Sequence, residues 1–352
     1  MSETREFVTV VADGMVFDGW TESEVVFGLN RAARSFTLKV SEEGPPPDKL
    51  WTFRPGTLVE IYANNDLLAT GHVDDYAPSY DAEHHEVTVT GRSKAADYID
   101  SSAEVPGGLF ENKTPEEIAR ELDRYGVGIG AKVPGDEIPY YQIFQGETAF
   151  RAAERACRQQ GICLMGKADG SIELTNAEKA GRQPGSLVLG RNILAANGHV
   201  SHEKRFSDYK VKGQARTGHG AGALRIEEEA QDPAVRRYRK RIIIAETGTD
   251  ESRAGERAKI EAQRLAGLST RATVTAQSFR DDTGALWEPN SLVFVDCPWL
   301  RIHGDMLIET VRLRQSSDEG SVSLLALVDP RAYRGEAPQQ SKSDPVWSEM
   351  PE

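Results

Sequence analysis

Histidine-containing stretches are the first candidates for chemistry in this chain. His84 and His85 are adjacent, and His199 lies three residues before His202, which precedes Glu203. Neighbouring side chains of a strand point to opposite faces, so His84 and His85 cannot share one metal ion. The spacing around His199 matches neither the zinc-protease motif His-Glu-x-x-His nor its inverse. We therefore predict no metal site and no cofactor.

Three further signatures of catalysis are likewise not satisfied. Gly218, Gly220 and Gly222 run into the acidic residues 227–229, whereas a phosphate-binding loop runs into a helix and usually ends in lysine. No Gly-x-Ser-x-Gly elbow occurs. The 55 Asp and Glu residues are too numerous for a carboxylate pair to identify a glycosidase. The sequence predicts a protein without enzymatic activity. A wall-degrading enzyme with its lytic centre in residues 106–180 remains the alternative.

One charged run is a candidate binding surface. It is the basic run at residues 236–241, which is interrupted by Tyr238 and precedes the apolar residues 242–244. Positive charge of this kind protects an exposed strand edge from aggregation, or it grips an acidic face of a neighbouring subunit. Both interpretations remain open. The candidate subunit-contact residues are Arg236, Arg237, Arg239, Lys240 and Arg241.

Composition limits the class of protein. The 352 residues carry a formal net charge of −13, which argues against a protein that binds duplex DNA or RNA through a basic face. The three cysteines, Cys157, Cys163 and Cys297, are irregularly spaced, so we predict free buried thiols. The N-terminus has no signal-peptide pattern, and the longest apolar stretches are strand-sized. We expect a soluble protein without membrane insertion.

A pattern near residue 50 recurs late in the chain. Leu50 and Trp51 precede a Pro-Gly pair ending at Gly56, and Leu286 and Trp287 precede Pro-Asn, ending at Asn290. Proline presets the first turn position, and Gly or Asn tolerates a positive φ at the next. A strand-like stretch follows each turn. We interpret this as one β-unit used twice.

The match continues downstream of these turns. It aligns Leu68 and Val73 with Met306 and Val311, and residues 85–89 with 320–324. Residues 58–61 and 292–295 should then occupy equivalent strands. Short alternating strands are common, so two unrelated antiparallel meanders remain an alternative.

The coarse element pattern predicts a mainly β fold with an α+β insert. Helix-start signals occur at 114–117, where Thr, Pro and Glu form a capping box, and at Thr148. Short strands separated by turn residues precede and follow them, which favours antiparallel barrels. The predicted domains are a first antiparallel β-barrel (1–103), a small α+β insert (104–185), a second β-barrel with a helix near 251–266 (186–333) and a flexible tail (334–352).

Dispersed motifs give the chain a family resemblance. They cover most of residues 7–333 in a consistent order, at 19–20, 34–36, 54–61, 71–74, 91–93 with Asp97, 189–194, 205–209, 286–295, 306–308 and 329–333. In these motifs the chain resembles the baseplate hub, or tail protein P, of Mu-like contractile-tailed phages. That family is related to the late-control proteins of other phages and to the base of type VI secretion spikes.

The resemblance implies a structural protein of the virion, assembled in the host cytoplasm. It implies a homotrimer in which two similar barrels per chain form a pseudo-six-fold ring. Such a ring would join the six-fold tail tube to the three-fold central spike and would line the DNA exit channel. Its partners would be the tail tube protein, a trimeric spike protein, and other baseplate and tape-measure proteins, with no sequence-specific nucleic acid. A type VI-like spike base is the other alternative, and it would be expected to carry a long β-helical repeat.

Overall fold

The computed structural model describes residues 6–41, 51–81, 85–215, 225–245 and 249–336. Leu50, His84, the glycines at 218–222 and the tail from 337 onward therefore lie outside the described residues.

The described residues up to 100 form seven strands and one α-helix. Alternation of apolar and polar residues dictates these strands; in Ser35–Ser41 every second side chain is buried. A helix of six residues follows the last of these strands. The elements are β1 Val8–Ala12, β2 Met15–Phe17, β3 Glu22–Gly28, β4 Ser35–Ser41, β5 Leu58–Ala63, β6 Asp66–Tyr80, β7 His85–Ser93 and α1 Ala95–Asp100.

The insert combines helices with two small sheets. The capping box predicted at 114–117 is present, because Thr114 and Glu117 exchange side-chain and backbone hydrogen bonds. Thr148 caps the next helix by accepting from the Arg151 N–H. A second hydrophobic cluster lies around Tyr141 and also includes residues from the preceding part of the chain. Its elements are β8 Leu109–Lys113, α2 Pro115–Glu121, β9 Ile129–Ala131, β10 Ile138–Gln142, α3 Ala149–Arg158, β11 Cys163–Gly166 and β12 Ile172–Thr175.

The last part of the chain returns to β-structure. Its long helix is capped by Asp250 and runs past Gly267, which the sequence indicated as its end. Glycine is required at position 267 because the backbone of Ala332 packs so closely there that a side chain would collide with it. The elements are β13 Gly181–Val188, β14 Ile193–Val200, β15 Asp208–Gly213, β16 Ile226–Gln231, β17 Lys240–Ile244, α4 Glu251–Leu268, β18 Thr270–Gln277, β19 Ser291–Cys297, β20 Ile302–Ser316 and β21 Gly320–Val328.

Strand pairing joins the two β-rich parts into one sheet of 13 strands. The main path runs β14-β18-β21-β20-β3-β4-β7-β6-β5-β1-β2, with β19 added to β20 and β13 to β19. One hydrophobic cluster lies against strands of both parts. The predicted mainly β class is confirmed. The strands that the structure describes form a continuous sheet and no closed barrel. None of the described helices is long and apolar enough to cross a membrane.

Two meanders within this sheet repeat each other. In each, a long strand of 15 residues, β6 or β20, pairs with a shorter strand before it and with a strand of nine residues after it. The Gly56 N–H donates to the Val73 carbonyl at 2.8 Å, and the Asn290 N–H donates to the Ile308 carbonyl at 2.9 Å. Gly56 and Asn290 both have positive φ, as the turn pattern predicts.

The ladders correct three details of the sequence alignment. Trp51 is 56% exposed, whereas Trp287 is fully buried. The counterpart of Trp287 is Phe53, which is also buried and lies three places before Gly56, as Trp287 lies three places before Asn290. Val73 corresponds to Ile308, three residues before the predicted Val311, because both accept the turn hydrogen bond. The alignment of 85–89 with 320–324 is wrong by one residue, since Val73 lies opposite Gly91 and Ile308 lies opposite Leu327.

Candidate assembly surfaces

The two meanders meet at a strand pair that we call the internal seam, formed by β3 and residues 310–316 of β20. Seven residue pairs run from Thr310 opposite Gly28 to Ser316 opposite Glu22. Arg312 and Arg314 lie on the polar face of the seam and pair with Glu24 at 3.2 Å and with Glu22 at 3.3 Å. The seam is the point at which one repeat contacts the other, and it combines a backbone ladder with charge complementarity.

Two further strand segments, residues 195–200 of β14 and residues 75–80 of β6, each have one open edge within the described chain. β14 pairs with β18 on one side, and residues 195–200 have no strand on the other side within the described chain. Residues 75–80 of β6 pair with β7, while β5 reaches only as far as His72. Both segments are mostly exposed, with Val200 at 49% and Tyr80 at 85%. Open edges of this kind are templates for pairing with another chain.

The basic run lies beside the edge strand of a smaller sheet, in which β15 is flanked by β16 and β17. Arg239 is engaged internally, because its guanidinium donates to the carbonyls of His202 and Glu203, both at 2.7 Å. Lys240 pairs with Glu229 at 2.8 Å, and Arg241 pairs with Glu261 at 3.3 Å.

The first part of the basic run points outward. Arg236 and Arg237 are exposed and have no ion pair among the described residues, and Tyr238 between them and the strand is 78% exposed. The structure therefore divides the five predicted contact residues into two without an ion pair among the described residues and three whose charged groups are engaged within the chain.

The face of this small sheet directed away from α4 is also charged. Glu227 contacts Lys210 at 2.9 Å, Lys212 at 3.1 Å and Arg225 at 3.2 Å, and these cations lower its pKa to about 2. Glu227 therefore stays ionised at every pH that the cell reaches. Salt-bridged acids and bases on one sheet face are typical of a solvated or polar interaction surface, not of a general acid–base site.

The stretches first considered for chemistry give no catalytic geometry. His199 lies on the open strand β14, and the His85 ring packs edge-on against Tyr80 at 5.9 Å between centroids. No group of three or more His, Cys, Asp or Glu in the described part of the chain is arranged to hold a metal ion.

A polar cleft between the insert and α4 is explained by packing. The Gln160 side chain accepts from the Asp136 N–H at 2.6 Å and donates to the Asp136 carbonyl at 2.8 Å. Arg253 of α4 donates to the Glu137 carbonyl at 3.3 Å. The Arg253 bond joins the insert to the helix, and the two Gln160 bonds hold residue 136 in place within the insert.

The cysteines are free, as predicted, with Cys157 and Cys297 buried and Cys163 half-buried. Burial raises the pKa of the Cys163 thiol to about 12 and raises that of Cys157 as well. Neither is a thiolate near neutral pH, and neither is suited to nucleophilic chemistry.

The most consequential residue whose role the sequence did not reveal is Arg34. It is buried, and its guanidinium donates to the Leu68 carbonyl at 2.8 Å and to the Gly166 carbonyl at 3.1 Å. The guanidinium also stacks over the Phe27 ring at 4.3 Å. Burial lowers its pKa, which nearby carboxylates only partly oppose. Arg34 thus joins the insert to the sheet beside the internal seam.

Comparison with known proteins decides the family. Three family models match successive parts of the chain: the N-terminal domain of Mu phage baseplate assembly protein GpP-like proteins (7–93), the second domain of baseplate hub protein gp44-like proteins (95–176) and the fourth domain of Mu phage baseplate assembly protein GpP (249–336). The chain is 32% identical to the baseplate hub protein gp44 of Escherichia phage Mu over 339 residues, 93% of this chain and 88% of that protein. The chain belongs to the Mu-like baseplate hub family. The predicted resemblance is confirmed.

Solved structures place this hub protein among phage tail components. The 43 kDa tail protein of prophage MuSo2 from Shewanella oneidensis is similar, with a TM-score of 0.82, 29% identity and coverage of 93% of this chain and 99% of that chain. A component of the Escherichia coli type VI secretion system has a TM-score of 0.59 at 11% identity, covering 90% of this chain and 76% of that one. The second likeness concerns the fold alone.

Proposed function

We propose that this baseplate hub protein is a trimeric adaptor in a contractile tail. Three chains, each with two similar β-units, form a ring of six units that joins the six-fold tail tube to the three-fold spike. The two predicted barrels are, in this proposal, two barrel-type units that complete their closure only in the ring. The interfaces would be large, on the order of 2,000 Å² or more each.

The observation that carries this proposal is the duplicated meander. Both copies share strand lengths, the turn at Gly56 or Asn290, and a bulge in the long strand. A chain containing two equivalent units can present near-equivalent surfaces at six positions while its own symmetry is three-fold. This is the geometric requirement for joining a six-fold assembly to a three-fold one.

The polar face of the internal seam is the proposed lining of the DNA exit channel. It carries Thr37 and Thr273 along with the Arg–Glu pairs of the seam, and the main hydrophobic cluster lies on the other face. Neutralised pairs and hydroxyl groups hold phosphates weakly, because phosphate binding depends on unpaired cations.

The remaining assignments follow from the same proposal. The protein acts without catalysis or a cofactor, and its partners are the tail tube, a trimeric spike and other baseplate and tape-measure proteins. Its working domain division is 1–103, 104–185 and 186–333, with a flexible tail at 334–352. The exposed cations Arg236 and Arg237 face a neighbouring chain or the tube, away from the channel.

A mass measurement and a reconstruction of the tail tip test the adaptor proposal. We expect three copies in a ring, with the tube on one side and the spike on the other. One or two copies per assembled tail would exclude the adaptor mechanism. Turnover of peptidoglycan that disappears when one acid in 106–180 is changed would favour the enzyme alternative. A β-helical spike in the same polypeptide would favour the type VI-like spike base.

A further inference from the structure

We infer that β14 of one chain pairs antiparallel with residues 75–80 of β6 in a second copy of this chain. This strand pair, which we call the external seam, reproduces between chains the internal seam within each chain. The inference rests on the proposed trimer and adds its contact residues and their register.

The internal seam serves as the template for this pairing. β6 corresponds to β20, because each has one extra residue just after the residue that accepts the turn hydrogen bond. β14 corresponds to β3, because the two strands have equivalent neighbours. β3 pairs with β4, which pairs with β7 of the first meander. In the same way, β14 pairs with β18, which pairs with β21 of the second meander. β3 and β20 are bonded to each other, whereas β14 and residues 75–80 have open edges.

The ladders also fix the register. Val25 lies opposite Phe36 and Gly198 lies opposite Ala272, and these two partners occupy the same place in their meanders. Leu313, which pairs with Val25 in the internal seam, has Pro78 as its counterpart. The external seam therefore places the following residues opposite each other: Tyr76 and Val200, Ala77 and His199, Pro78 and Gly198, Ser79 and Asn197, and Tyr80 and Ala196.

Burial supports the correspondence. In the internal seam, Val25, Phe27 and Leu313 are buried on the core side. Their counterparts Gly198, Val200 and Pro78 are exposed in the isolated chain, although Leu300 already covers the space beside Gly198. A strand that lies in the same position as a buried strand, yet remains mostly exposed, is one that a partner covers.

The external seam differs from the internal one in chemistry. Residues that correspond to Arg312 and Arg314 are Ala77 and Ser79, so no cross-strand ion pair forms there. Backbone groups of alternate residues in a strand point to the same side, which places the backbone N and C=O of Pro78 at the open edge. Pro78 has no N–H, so its carbonyl can accept from the Gly198 N–H but it cannot donate in return. The seam between chains is thus held by fewer bonds than the seam within a chain.

A disulfide experiment tests the pairing. Ala77 and His199 would form a non-hydrogen-bonded pair, in which side chains of antiparallel strands approach closest. We expect the full chain with Ala77→Cys and His199→Cys to give covalent dimers and trimers under mild oxidation. A matched variant with Ala77→Cys and Val200→Cys directs its thiols to opposite faces and should remain uncrosslinked, as should the parent chain with its three native cysteines.

The outcomes separate this inference from the adaptor proposal. Crosslinking of the first variant alone supports the seam and its register. Crosslinking of the control instead overturns the register, and a particle that is trimeric by mass but yields no crosslink from the first variant overturns the seam while leaving the adaptor intact. A monomer or dimer in assembled tails removes the adaptor, whichever crosslinks form.

Discussion

Asp74 in β6 and Glu309 in β20 are the extra residues of two β-bulges at equivalent positions in the two long strands. In each strand the register to the following strand shifts across this residue. A bulge bends its strand and is a deliberate feature of a fold, so two unrelated meanders would not be expected to share its position. The correspondence therefore extends from regular strands to an irregularity, which favours duplication over the alternative of unrelated meanders.

The turn before β5 should depend on glycine. Gly56 has a φ of +88°, and the change Gly56→Ala should lower the free energy of unfolding by roughly 1–2 kcal/mol because a side chain disfavours this conformation. Gly130→Ala is the matched control, since Gly130 has ordinary φ and open space around the position of a Cβ atom. Denaturant unfolding measures both. An equal effect of the two changes would contradict the assigned turn.

A buried ion pair should hold the small sheet together. Arg205 and Asp232 are both buried, with the guanidinium Nε 2.5 Å and Nη2 3.0 Å from the two carboxylate oxygens. Arg205→Met leaves a buried carboxylate without its partner and should cost about 3–5 kcal/mol in urea unfolding. Arg124→Met, which removes a long and exposed contact with Glu104, should cost less than about 1 kcal/mol. Similar costs for the two would show that the buried pair carries no special weight.

Asp281 should contribute a pH-dependent part of the stability. Burial raises its pKa, but hydrogen bonds from Thr283, Gln183 and the Gly185 N–H together outweigh burial and lower the pKa. Because the folded pKa lies below the unfolded value of about 3.9, the stabilisation is present above that value and is lost as pH falls through the folded pKa.

The corresponding measurement is acid unfolding of the parent chain and Asp281→Asn. The variant should lose roughly 1–3 kcal/mol at pH 7, since it leaves buried donors imperfectly paired. The difference between the two proteins should shrink below about pH 4. A difference that stays constant down to pH 2 would contradict the assigned role of the carboxylate.

The exposed half of the basic run should act electrostatically. Arg236→Glu with Arg237→Glu should weaken assembly into tails at low salt, and the defect should diminish toward 1 M salt, where charges are screened beyond about 3 Å. Arg151→Glu, at another exposed position, is the control. Sedimentation of assembled particles measures the effect. Assembly unchanged at every salt concentration would leave strand-edge protection as the function of these residues.

Pro78 should weaken the external seam. Pro78→Ala restores an N–H that faces the open edge, so the trimer should dissociate at higher urea concentration than the parent trimer. Ala77→Ser, one residue earlier and directed away from the core, should leave the midpoint unchanged. An unchanged midpoint for the alanine variant at Pro78 would place the proline outside the seam.

Local signals in the sequence predicted much of this fold. The capping box at Thr114 and the cap at Thr148 begin helices because their side chains satisfy free N–H groups of the first turn. The repeat was visible because turn chemistry and alternation are local properties. The free thiols and the helix near 251–266 were predicted on the same basis.

What the sequence concealed depended on partners distant in the chain. Residues 74–80 extend β6 but are mostly exposed and contain proline, so neither alternation nor propensity marked them as strand. Trp51 seemed the natural match for Trp287, yet Phe53 fills the equivalent core position. The open edges of β6 and β14 became visible only when strand order was known, because an unpaired edge leaves no mark in composition.

The single hydrophobic cluster beneath both meanders has a consequence for the evolution of this family. Val25 and Phe36 of the first unit share that cluster with Val311 and Leu325 of the second, so neither unit has a complete interior of its own. After the duplication, the two halves could diverge only as a pair, since separating them would expose apolar surface on both. Gene fragments encoding one half should therefore be poor material for recombination between phages.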